Sequence, residues 1–384
     1  MSSVDDVFHR PDYAKDMAKQ LLRPTAFQTN IRSGVFLSGI RRIGKTTFLK
    51  QDLIPALEAE GALVLYIDLW SDRSLTPSAL VHKAVQQALE KFNTPSSSLL
   101  ERFKGLNMGA AGISFGFQID SVGSREGTSL AQAISELIDK TGINVVLIVD
   151  EIQQALVTDD GNNLLHALKA ARDAVNAKPG DHGYFLFLGT GSHKSLVTDM
   201  ATRRSQPFMG AMTTTYNPLS EDFVAWKIAQ LQASPDVILP SLEVAFSGFQ
   251  TMGNRPEELL KALVQLQSTT ISADQAFPII CATLASAAAD SELHALDQFG
   301  QLGEALFTRI ASGPAEGVSR LYGAESLEFF SKRVNANVEA PQVQNLVEKM
   351  IAANLITRSG HGLYVVADPF VREVWLGKQV LLAI

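Results

Sequence analysis

One octapeptide constrains this chain more than any other feature. Gly39-Ile40-Arg41-Arg42-Ile43-Gly44-Lys45-Thr46 matches the pattern G-x-x-x-x-G-K-[ST] at every fixed position. At average composition that match would arise by chance on the order of once in a hundred chains of this length. Its context strengthens it. The apolar run Gly34-Val35-Phe36-Leu37-Ser38 precedes it and predicts a strand. Phe48, Leu49, Leu53, Ile54 and Leu57 follow at helical spacing. Glycines let such a turn wrap closely enough for backbone N–H groups to face phosphates, and the helix that follows adds the positive end of its dipole. In this reading Gly39 to Thr47 cradle a nucleotide. Lys45 neutralises its outer phosphates, and Thr46 offers its hydroxyl to Mg²⁺.

A phosphate loop of this kind needs a carboxylate at the end of a neighbouring strand, because Mg²⁺ keeps several waters and takes a carboxylate directly or through them. Val145-Val146-Leu147-Ile148-Val149 runs into Asp150-Glu151. Asp150 is the metal-side acid. Glu151, one residue on, projects differently and can polarise a water for attack on the γ-phosphate. The adjacent acids, and the lack of an N-K-x-D base-specificity motif, favour ATP hydrolysis over a GTP-binding switch or a small-molecule kinase.

Strands alternate with helical patterns through the first half of the chain. Apolar runs at Ala62 to Trp70, Val145 to Val149 and Tyr184 to Leu188, with Thr213 to Tyr216 after them, predict four further strands, and the alternation predicts an α/β fold with a mostly parallel sheet between helical layers. Ile113, Phe115, Phe117 and Ile119 alternate with Ser114, Gly116, Gln118 and Asp120, which predicts a half-buried strand or one arm of a hairpin. From Ser220 the spacing is helical almost throughout, with turn signals at Pro235, Pro240, Gly253 to Pro256, Ser272 and Pro278. Two helices and two strands folded about Ser359-Gly360-His361-Gly362 predict a winged helix at the end. The divisions expected are 1–30 for a lead-in helix and loop, 31–219 for the core, 220–318 for a helical lid and 319–384 for the winged helix.

Charge and composition narrow the partners. Thirty-three basic against forty acidic residues leave a net charge of −7, which argues against binding nucleic acid or anionic lipid through global charge. Residues 320–384 hold seven basic and six acidic side chains, a net of +1, so the tail lacks a basic footprint. A lone cysteine, Cys281, excludes an internal disulfide and a thiolate metal cluster. The first residues carry acids where an export signal is basic, and the apolar stretch from Phe277 to Ala289 is short for a membrane span. A cytoplasmic protein without membrane contact is expected.

Together the phosphate loop, the Val149-Asp150-Glu151-Ile152-Gln153 segment, Gly189-Thr190-Gly191-Ser192 and the winged-helix tail resemble the archaeal-type and STAND-like ATPases of the AAA+ group, relatives of the origin-recognition ATPases. The resemblance implies a P-loop core with a lid and a winged helix, with ATP and Mg²⁺ as cofactors. It implies a polar sensor at Thr190 or Ser192, with Thr190 favoured because it directly follows the apolar run and Ser192 equally readable as a helix cap. It implies an arginine at Arg203 or Arg204 that reaches a phosphate, often of a neighbouring subunit, against the plain reading of a solvated basic pair. Gly253-Asn254-Arg255-Pro256 resembles the turn that opens a lid helix near the adenine, with Pro256 at the first helical position. Val7-Phe8-His9-Arg10 resembles a short element preceding the core that touches the adenine. The activity implied is an ATP-driven switch acting on self-assembly or a protein partner through the tail; the alternative is an ATP-dependent loader or remodeller whose winged helix binds DNA.

Overall fold

Four apolar runs pair side by side because each is too apolar to face water, and a short, more polar strand joins them at one edge. The computed structural model describes residues 7–72, 74–94, 115–124, 127–178, 183–360 and 362–382. It shows an α/β architecture whose sheet contains β1 (Val35–Ser38), β2 (Leu63–Asp68), β3 (Val145–Asp150), β4 (Phe185–Gly191) and β5 (Met212–Thr215) in the order β2-β3-β4-β1-β5, every pair parallel. All of β1, β3 and β4 is buried, as expected of central strands covered on both faces, whereas β2 alternates and β5 is half-exposed at the opposite edge. Phe36, Phe187 and Phe208 pack their rings in the core with centroids 4.4 to 5.7 Å apart.

Register decides what meets at the carboxyl ends of these strands. Ser38 lies opposite Gly191, Leu37 opposite Thr190, Val149 opposite Gly189, and Asp68 opposite Asp150. The turn leaving β1, the acidic end of β3 and the polar end of β4 therefore share one rim of the sheet, the rim where open α/β sheets bind ligands.

Local signals start the helices. Pro11 opens α1 (Pro11–Leu22). Thr76, Ser129 and Thr158 accept a backbone hydrogen bond at the starts of α4 (Pro77–Asn93), α5 (Leu130–Thr141) and α6 (Asp159–Asn176). Between them, the helix after the phosphate loop departs from a simple 3.6-residue repeat. It comprises α2 (Lys45–Phe48), a π-helical stretch Leu49–Leu53 and α3 (Ile54–Ala59). The widened turn lies just before Pro55, which has no N–H to continue the ladder.

The strand expected across 113–120 is not formed in its described part; Ile113 and Ser114 lie outside the described residues. Gly116 and Phe117 form a bend and Ile119–Ser121 a 3₁₀ turn. Backbone groups there find other partners: Gly116 N donates to Glu136 Oε1 at 2.6 Å and Ser121 N to the Gln118 carbonyl at 3.0 Å. Phe115 and Phe117 still pack on the core, so burial is kept without a ladder.

The chain divides into two compact units, Met1–Gly39 with Lys45–Tyr216, and Ile40–Gly44 with Asn217–Ile384. Helix α7 (Lys194–Thr202) belongs to the first unit, and the second is largely helical. Its own helices are α8 (Glu221–Gln232), α9 (Leu242–Thr251), α10 (Pro256–Leu266), α11 (Ala273–Asp297) and α12 (Gly300–Ala311). Then α13 (Ala324–Val334) and α14 (Ala340–Ala352) lead into the antiparallel pair β6 (Ile356–Gly360) and β7 (Leu363–Val366), and α15 (Pro369–Leu382) closes the chain. Val318 bridges to Tyr364 beside the pair, completing the small sheet of a winged helix.

The break expected at Pro278 does not occur. Helix α11 runs through it for 25 residues. Pro278 sits on the exposed side, where the Asp274 carbonyl that loses its donor can meet water, while Phe277, Cys281, Ala285 and Ala289 keep a buried stripe at four-residue spacing. Among the described residues α11 is the one helix long and apolar enough, by length and composition, to cross a membrane, and a third of its most apolar window is buried within the protein.

Burial pushes the Cys281 thiol up to about 12. At about pH 8 it should react with a disulfide reagent at least roughly a hundredfold more slowly in the native protein than in denaturant. Equal rates would show that α11 is not packed against its neighbours.

Candidate active site

The phosphate-loop backbone reverses hand twice within three residues, with φ of 66° at Arg42 and 89° at Gly44. Alternating hand of this kind turns N–H groups into a concavity suited to an anion. The loop is anchored where it leaves β1, since Gly39 N donates to the Gly191 carbonyl at 3.1 Å. Ile43 is buried, whereas Ile40, Arg41, Arg42 and Thr47 are partly or fully exposed.

Lys45 begins α2 and is only 5% exposed, so its ammonium requires negative partners. Nζ lies 3.9 Å from Asp150 Oδ1 and 4.0 Å from Glu151 Oε1. Asp150, at the end of β3, is 1% exposed and has donors on both oxygens. Oδ2 accepts from Thr46 Oγ1 at 2.8 Å and from the Tyr66 hydroxyl at 3.1 Å; Oδ1 accepts from Glu151 N at 3.0 Å and from the Thr190 hydroxyl. Burial, and next the negative charge of Asp150, push the Tyr66 phenol well above its usual range, so it remains a donor.

Glu151 adopts a left-handed backbone, φ 54°, which swings its side chain off the strand axis and away from that of Asp150. Its Oε2 accepts from Ser192 Oγ at 3.0 Å and from the Gln153 amide nitrogen. The sequence offered Thr190 and Ser192 as alternatives for one role. They divide, Thr190 bonding Asp150 and Ser192 bonding Glu151, while His193 rather than Ser192 caps α7.

The donor set suits Mg²⁺. The Thr46 hydroxyl and an Asp150 carboxylate oxygen are hard ligands side by side, and this ion takes its remaining ligands from water and phosphate. Among the described residues no group of three or more His, Cys, Asp and Glu side chains could hold a metal ion by itself.

The other expected residues have local partners of their own. Arg203 follows α7 at its C-cap, half-exposed, with Nη2 2.8 Å from Asp199 of that helix, and Arg204 is exposed on the following turn. Pro256 opens α10 in the second unit, with Glu257 and Glu258 in the first turn. Arg10 places its guanidinium carbon 4.5 Å from the Tyr13 ring centre and 5.5 Å from that of Tyr216, while Asp52 receives both Arg10 N and His9 Nδ1. Sequence reading assigned no role to Tyr66, Gln153 or Asp52. The one available signal for Tyr66 was its place two residues before the end of a strand bordering the acidic one.

No family model matches the chain, and no curated protein matches it in sequence. Its structure is similar to that of the Aeropyrum pernix ORC2 protein in the ADP form, with a TM-score of 0.53 and 12% identity over 99% of this chain and 97% of that one. It is also similar to the same protein in its ADPNP-ADP complexes, with a TM-score of 0.50 and 12% identity over 98% of each chain. At this identity the likeness is one of fold, and it extends over nearly the whole of both chains.

Replacing Tyr66 with Phe removes one donor from a buried carboxylate. The variant should lose about 1.5–3 kcal/mol of stability, read from denaturant midpoints at unchanged slope. An unaltered midpoint would show that the hydroxyl does not hold Asp150.

Proposed function

We propose that the chain binds ATP with Mg²⁺ and hydrolyses it, and that the bound nucleotide sets the state of the winged-helix tail to control self-assembly or a protein partner. The observation that carries this reading is the convergence of Lys45 and Thr46 from the phosphate loop on Asp150 and Glu151, with Nζ about equidistant from the two carboxylates. The ORC2 protein to which the fold is similar was solved with ADP and ADPNP, which agrees with a nucleotide here.

Backbone N–H groups from Gly39 to Thr47 bind the phosphates, and Lys45 offsets their charge. Thr46 and Asp150 would hold Mg²⁺, which would neutralise charge on the phosphates. Glu151 accepts a proton from a water as the water oxygen attacks the γ-phosphorus; the bond to the bridging oxygen breaks and ADP leaves with that electron pair. Thr190 orients Asp150 for the metal, and the Arg10, Tyr13 and Tyr216 cluster is the reading for the adenine side. Residues 220–318 are the proposed lid, with Pro256 at the start of one of its helices, and 319–384 the responding element.

A DNA-binding loader is the second reading, favoured by the winged helix itself. Charge weakens it: Arg358, on the wing, pairs with Glu348, so this guanidinium is already neutralised. A salt-dependent DNA shift by the purified protein that Arg358→Ala abolishes would reverse the order.

Two outcomes test the chemistry. Lys45→Ala should lose nucleotide binding, while Glu151→Gln should bind ATP as the parent does and lose about 10²–10⁴-fold in turnover. Undiminished ATP affinity in the lysine variant, measured by calorimetry, would remove the assignment.

Assembly has its own test. If Arg203 or Arg204 completes the site of a neighbouring copy, turnover per chain should rise with protein concentration and fall about 10³-fold or more in the Arg203→Ala, Arg204→Ala double variant. Turnover independent of concentration would leave both arginines as surface charges.

A further inference from the structure

Gln153 has no part in the chemistry described so far, yet it is among the most constrained polar side chains in the site. It lies on the 3₁₀ turn Ile152–Val157, two residues after Glu151, and is 4% exposed. Its Nε2 donates to Glu151 Oε2 and lies 3.4 Å from Ser192 Oγ, which itself donates to the same Oε2. The three polar groups close a triangle on one oxygen of one carboxylate. The amide orientation follows from this, since the flipped form would face its carbonyl oxygen toward the negative charge.

Two further observations show that the position is built. Gln153 Oε1 is buried with no hydrogen-bond partner among the described residues, an arrangement a fold retains only against a cost. That atom occupies the space a side chain on Gly191 would need: a Cβ there would fall 2.2 Å from Gln153 Oε1 and 2.8 Å from a Val197 methyl. The glycine ending β4 thus makes room for the amide that grips Glu151.

We infer that Gln153 is a positioning residue for hydrolysis: with Ser192 it holds Glu151 Oε2, leaving Oε1 as the oxygen that takes the water's proton. Oε1 is the oxygen on the Lys45 side, 4.0 Å from Nζ. A left-handed residue beyond the end of a strand has no ladder to orient its side chain, and two donors on one oxygen supply that orientation. The inference rests on the ATPase reading above and adds the residue that aims its base.

The test is a double-mutant cycle on the full chain. Gln153→Met keeps the side-chain length without the donor, and Gly191→Ala crowds the amide from the other side. Each should lower kcat about tenfold to a hundredfold with ATP affinity within about twofold of the parent. Glu151→Gln combined with Gln153→Met should turn over no more slowly than Glu151→Gln alone, because both changes act through one group. A structural role would instead lower the melting temperature and ATP affinity together and add to the loss in the double variant, which would overturn the inference, as would parental or raised kcat in Gln153→Met. Failure of the parent to hydrolyse ATP, or full activity in Glu151→Gln, would instead overturn the ATPase reading and carry this inference with it.

Discussion

A carboxylate almost wholly removed from water is the constraint around which the first unit is organised. Asp150 is 1% exposed, and burying such a charge is costly unless it is paired and fully hydrogen-bonded. Its donors come from four places: Thr46 on the phosphate-loop helix, Tyr66 on β2, Thr190 on β4 and the backbone of Glu151, with the Lys45 ammonium nearby. Satisfying this one group requires β2, β3 and β4 to be in their observed register and the phosphate loop to lie beside them. The same requirement orients these groups in advance, and for the nucleotide proposed above such orientation lowers the cost of binding.

The second unit contains its own buried charge. Arg255, 1% exposed, gives one nitrogen to Asp368 at 2.7 Å and lies 4.4 Å over the Phe370 ring, while its other two nitrogens lack partners among the described residues. Burial raises the Asp368 carboxyl above its usual range even though the guanidinium opposes the rise. Within this unit the pair ties the turn before α10 to the start of α15, joining the helical part to the element after the wing. Breaking one side of such a pair strands the other charge, so the two elements are coupled more firmly than two surfaces that merely touch.

Much of the sheet was readable in advance because its strands are buried on both faces and so appear as unbroken apolar runs, as at Val145 to Val149 and Phe185 to Leu188. The stretch around Phe115 and Phe117 misled for a related reason. Alternation reports which side chains are buried, and a turn that tucks two phenylalanines against the core gives the same pattern as a strand. Pro278 misled because a proline is incompatible with a helix only where its missing N–H cannot be replaced by solvent, and exposure of that face is a property of the packed protein. Thr190 and Ser192 stood as competitors in the sequence, whereas in space each has a different carboxylate.

From the sequence alone came the groups that chemistry requires and the order in which strands and helices follow one another, since the phosphate loop and the adjacent acids are local patterns that must recur wherever such a loop is built. Only the tertiary structure decided which other side chains attend those acids. Tyr66 is 84 residues from Asp150, and Ser192 is 41 from Glu151. Hydrogen bonds depend on distance and angle between atoms, and the pairing of parallel strands that sets both is encoded by no spacing along the chain.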